Sequence, residues 1–94
     1  MLPSERATKI VKDRQQKYGH PADVHSIAAS LWSTYLTAKT GSVVVVQAED
    51  ISMMMALLKI ARETNRPLGD NPDDVCGYMN TYTMTLEKKG ENSV

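Results

Sequence analysis

Apolar residues recur along this chain at helical spacing, in four blocks separated by Gly, Pro and Asn. In the first block, about 4–18, Ala7, Ile10, Val11, Arg14 and Tyr18 fall on one stripe, with Ser4 marking the start and Gly19 the stop. Arg14 lies on that stripe while Arg6, Lys9, Lys12, Asp13 and Lys17 lie off it, so its charge is expected to face the interior or a cleft. The second block, about 21–37, opens at His20 and Pro21 with Asp23 near the positive helix end. It carries a broad apolar arc of Val24, Ile27, Ala28, Leu31, Trp32, Tyr35 and Leu36. His25 sits on the edge of this arc; it reads as a boundary residue more readily than as a ligand, and it stays among the candidate site residues.

The third block, about 47–63, is the most apolar. From Ile51 to Ala61 only Ser52 and Lys59 are polar, which predicts a helix at the centre of the core. The fourth, about 71–89, has a strong start in Asn71, Pro72, Asp73 and Asp74, and Val75, Met79, Tyr82 and Leu86 on its core face. Gly77 permits close approach of another helix, and Lys88 and Lys89 suit the negative helix end. Between the second and third blocks, Val43–Val46 is the one strongly β-favouring run. Lacking a second strand, it reads as an extended connector that covers one end of the bundle or pairs with a copy of itself across a dimer. The pattern predicts an all-α protein: a small antiparallel four-helix bundle in a single domain spanning 1–94, with the third and fourth segments as an antiparallel pair.

Composition narrows the function classes. A formal net charge of zero over 94 residues offers no basic excess for a long nucleic-acid surface. One cysteine, Cys76, makes neither an internal disulfide nor a zinc site. No apolar run approaches the roughly 20 residues of a membrane span, and the charged start is unlike a signal peptide, so a cytoplasmic location is expected. A chain this short buries only about 60–65% of its unfolded surface, and six Met residues with no Phe suit an adaptable interface. A homodimer or other homo-oligomer is expected.

The candidate chemistry lies in charges beside apolar positions. On the third segment Asp50 shares a face with Met54, Leu57 and Ala61, and Arg62 with Ile51, Met55 and Leu58. They stand about 18 Å apart along one helix and so need partners from elsewhere. Asp50, Asp70 and Asp74 are candidate ligands of Mg²⁺, a hard cation that takes few carboxylates and fills its shell with water and phosphate oxygens. Arg14, Tyr18, Lys59, Arg62 and Tyr78 are candidates to bind a nucleotide and its phosphates. The competing reading pairs Arg62 with Asp74 or Asp70 and leaves Asp73 and Asp74 as helix caps. No Gly-rich phosphate loop, nucleophile elbow or zinc-spaced His pair occurs.

The string from Arg14 through Tyr18-Gly19-His20-Pro21, then Trp32, Glu49-Asp50, Lys59-Ile60-Ala61-Arg62, Asp70-Asn71, Asp74 and Gly77-Tyr78 resembles a family of small, mostly phage-encoded proteins of uncharacterised function. Their layout is similar to the all-α nucleotide pyrophosphohydrolases of the MazG and dUTPase type. That resemblance implies a helical, usually oligomeric protein holding Mg²⁺ on E-x-x-E and E-x-x-D pairs and cleaving a nucleoside triphosphate between its α and β phosphates. The chain departs from the pattern: it has no E-x-x-E, and its second segment offers only Asp23 and then His25 where the first pair is expected. Two functions follow as expectations. One is nucleotide binding with divergent Mg-dependent pyrophosphohydrolysis; the other is a non-enzymatic phage protein that binds and inhibits a host protein.

Overall fold

A computed structural model describes residues 1–67 and 69–92, with the side chains of residues 91 and 92 not described. It contains four helices, α1 (Pro3–Tyr18), α2 (Pro21–Thr40), α3 (Ala48–Asn65) and α4 (Asp70–Asn92), and no strand among the described residues. The helix ends follow local chemistry. Gly19, at φ 87°, and Gly41, at φ 74°, take the positive φ that ends α1 and α2. His20 caps α2, its Nδ1 accepting a 3.0 Å hydrogen bond from the Ala22 N–H. Asp50 closes the start of α3 by accepting from the Gln47 N–H at 2.9 Å.

Contacts fix the helix directions. Along α3 and α4 the partners run Glu63 with Asn71, Lys59 with Asp74, Ser52 with Thr81 and Glu49 with Lys89, so these two helices are antiparallel. Along α1 and α4 the numbers rise together: Arg6 meets Asp73, and Ala7 and Val11 flank Gly77. Helix α1 therefore runs beside α4 in the same direction. A Cβ added at Gly77 would lie 3.8 Å from Val11 Cγ2, ordinary van der Waals contact.

Val43–Val46 stays extended because α2 supplies what a neighbouring strand would. Thr37 Oγ1 accepts from the Val44 N–H at 2.9 Å, and Ser33 Oγ accepts from the Val46 N–H at 2.8 Å. Residues 44 and 46 thus turn their backbone polar groups onto α2, and Val43 and Val45 stay exposed.

The interior corrects the sequence reading of the core. The buried residues among those described are Ala7, Ala22, Ala29, Ile51 and Ala56, with Ser52, Asn71, Asp73 and Thr85. Of the apolar run of α3, Met53, Met54, Leu57, Leu58 and Ile60 are exposed. Four of the seven residues of the arc of α2 are exposed too: Val24, Ile27, Leu31 and Tyr35. The molecule is a slab of 44 × 38 × 21 Å, so α3 has neighbours on one side only. A helix that is apolar all round then buries one face, here Ile51, Ser52 and Ala56, and shows the rest.

Candidate functional site

Three helices meet where α1 turns into α2. The last turns of α1 bring Arg14 and Tyr18, the tight turn at Gly19 leads straight into Pro21, and the first turns of α2 bring Val24 and His25. Helix α4 closes the floor with Thr81. The result is a cavity of about 150 Å³. An adjoining recess of about 40 Å³ shares Val11, Arg14 and Thr81 with it and adds Asp73, Asp74 and Tyr78.

The two compartments differ in charge. Arg14 is exposed and has no hydrogen-bond or ion-pair partner among the described residues, and Tyr18 is 66% exposed with the Lys17 ammonium 5.8 Å from its ring centroid. A free cation and an exposed aromatic ring, with the Lys17 ammonium over it, thus line the same cavity. In the recess, Asp74 is held by Lys59 at 3.1 Å, with both side chains largely covered. Asp73 is buried and takes the Arg6 guanidinium on Oδ2 at 2.7 Å, leaving Oδ1 without a partner among the described residues. That ion pair raises the Arg6 pKa.

Behind the cavity runs a polar chain. His25 Nδ1 lies 3.2 Å from Ser52 Oγ, Ser52 Oγ lies 2.8 Å from Thr81 Oγ1, and the Thr81 hydroxyl donates to the Tyr78 carbonyl at 3.0 Å. Ser52 is fully buried, so the chain replaces water that cannot reach it. Burial pushes the His25 pKa down, which favours a neutral ring at pH 7.

The sequence candidates separate into two groups. Arg14, Tyr18, Asp74 and Tyr78 line the two compartments, and Lys59 joins them through Asp74. Arg62 is exposed on α3, and Lys59 rather than Arg62 neutralises Asp74. Asp50 is engaged at the start of α3, and Asp70 is exposed at the first residue of α4. Asp50, Asp70 and Asp74 therefore sit in three different settings. Among the described residues no group of three or more His, Cys, Asp or Glu is placed to hold a metal ion. The sequence reading weighed His25 but did not select Ser52 and Thr81. The signal was present in Ser52, one of two polar residues in the apolar run of α3, together with a histidine on an apolar arc.

A larger cavity of about 380 Å³ lies between α2, the start of α3 and the end of α4. Its charges are already engaged, Lys88 with Asp23 and Lys89 with Glu49, both at 2.8 Å. Those hydrogen bonds hold the Asp23 and Glu49 carboxyls below the usual carboxylate range. No described helix is long and apolar enough to cross a membrane. Neither the curated proteins nor the solved structures contain a match to the chain. The model of a domain of unknown function, DUF6378, matches residues 4–85, and these span α1, α2, α3 and most of α4, so the chain belongs to that family.

Proposed function

We propose that the protein binds a nucleotide at the junction of α1, α2 and α4, working as a homo-oligomer. The observation that carries this reading is the convergence of Arg14, Tyr18 and Tyr78 with the Lys59–Asp74 pair on two adjoining compartments. A cavity of about 150 Å³ holds one ring rather than a whole ligand. The base would enter it beside the Tyr18 ring, and the phosphates would stay at the mouth on Arg14, whose planar fork suits phosphate oxygens. Metal-assisted displacement at phosphorus needs carboxylates gathered on an ion. Asp50, Asp70 and Asp74 are not gathered, so the reading stops at binding, and Mg²⁺ enters it as the ion that nucleotide phosphates carry. The MazG-like and phage-encoded character stays part of this proposal.

The oligomer rests on surface and shape. A folded monomer of 10.4 kDa exposes about 5,400 Å², whereas this chain exposes 6514 Å². The excess of about 1,100 Å² exceeds the roughly 800 Å² per partner of a standard interface. The radius of gyration, 14.4 Å, likewise exceeds the about 12 Å of a compact chain of this length. Ile27, Leu31 and Tyr35 on α2, with Leu57 and Ile60 on α3, would be covered by a second copy.

The same apolar face supports the second reading, a module that docks on a host protein. The two readings separate by experiment. Thermal denaturation with a panel of nucleoside mono- and triphosphates, with and without Mg²⁺, should raise the melting temperature for at least one. Arg14→Met should abolish that shift without changing the unliganded melting temperature. No shift with any nucleotide removes the first reading. Sedimentation at a monomer mass removes the homo-oligomer and leaves the face to a different protein.

A further inference from the structure

The polar chain behind the cavity determines a tautomer. The Thr81 hydroxyl has one hydrogen, and it is given to the Tyr78 carbonyl, which can only accept. Thr81 Oγ1 must then accept from Ser52, whose single hydrogen is thereby spent. Ser52 Oγ in turn must accept from His25, so Nδ1 carries the proton. In a neutral ring the other nitrogen, Nε2, is then bare. Nε2 has no hydrogen-bond partner among the described residues, and it is not among the water-excluded polar atoms. His25 lines the α1–α2–α4 cavity together with Arg14 and Tyr18.

We propose that His25 is the specificity-determining residue of this cavity, presenting a bare Nε2 that accepts a hydrogen bond and so selects a base with a ring N–H. This rests on the nucleotide reading and names its ligand class. Uracil and guanine carry a ring N–H flanked by a carbonyl, whereas the corresponding ring nitrogens of cytosine and adenine are bare and would set one lone pair against another. The chain of Ser52 and Thr81 keeps the imidazole from turning over to suit either class. A histidine held by one hydroxyl on a flexible loop would give no such selection; here both hydroxyls sit on helices that pack together, and Ser52 is sealed from water.

Two measurements test it. Nitrogen-15 NMR of the free protein at neutral pH should show Nδ1 of His25 protonated and Nε2 unprotonated; the opposite tautomer overturns the inference whatever the protein binds. Calorimetric titration with UMP, CMP, GMP and AMP should then favour UMP over CMP and GMP over AMP by roughly tenfold, the weight of about one hydrogen bond. His25→Gln, which offers both a donor and an acceptor, should bind all four alike. Equal binding of the four by the native protein overturns the inference and leaves the nucleotide reading standing. Binding of none removes the nucleotide reading and this ligand class with it.

Discussion

The two faces of α3 reverse the usual order of a small protein. Its inner face buries Ile51, Ala56 and the hydroxyl of Ser52, and meets α4 through Lys59 and Glu49. Its outer face shows Met53, Met54, Leu57 and Ile60 to solvent. Burial of large apolar side chains is the main stabilising contribution in most domains, about 1.5–3 kcal/mol each. In α3 that contribution is largely unused inside one chain, and what holds the helix in place is close approach of small residues plus polar pairing. In the proposed homo-oligomer the outer face supplies cohesion between copies, and the inner face serves position more than cohesion.

The strongest way to break this contrast is on the outer face. Leu57→Lys should weaken self-association by about 3 kcal/mol, more than a hundredfold in Kd, and shift the sedimenting species toward monomer. If the mass is unchanged, the outer face of α3 is not the interface. A smaller effect is expected inside. Ser52→Ala strands the His25 N–H and removes the donor to Thr81, which should cost about 1–3 kcal/mol in chemical denaturation while leaving the oligomer mass intact. A loss of association instead would show that the two faces are coupled.

The weakest effect is that of acid, and it bears on the inner face alone. The folded pKa of His25 lies below its ordinary 6.5, so the unfolded chain takes the proton first, and stability falls as pH drops through 6.5 toward the folded value. Glu49 acts at lower pH. Its carboxyl is held below the ordinary 4.5 by Lys89, so its contribution is present above that value and is lost as pH falls through the folded pKa. Denaturation curves at pH 8, 6 and 5 should show the first loss, and His25→Gln should remove it.

How much of this was legible in the sequence differs by level. The four helices and their starts were readable, because Gly19, Pro21 and the Asn71-Pro72-Asp73 start act within a few residues of chain, whereas α2 and α4 run three residues past their expected ends. The core was not. Periodicity places Val24, Ile27, Leu31 and Trp32 on one arc, but it cannot tell which side of the arc a neighbour covers, and the slab covers only one. The site was half legible for a similar reason. Arg14 and Tyr18 stood out as polar members of an apolar stripe, and Asp74 and Tyr78 as candidates near the start of the fourth segment. Arg62 and Asp50 also stood out as charges on apolar positions, yet those positions of α3 face outward or lie at its end, where a charge is inexpensive. The hydrogen-bond chain from His25 to Tyr78 joins residues 25, 52 and 81, a relation that no local spacing encodes.

The connector from Val43 to Val46 carries one more consequence. Ser33 and Thr37 lie one turn apart on α2, about 6 Å along its axis, and Val44 and Val46 lie about 6.6 Å apart along the extended chain. The helix pitch and the strand repeat therefore match closely enough for two hydroxyls to hold two alternate residues. A match of that kind fixes parity as well as reach. One residue inserted between Val44 and Val46 would put the two held residues out of alternation, whereas two residues would restore it. The join between α2 and α3 is thus counted in pairs.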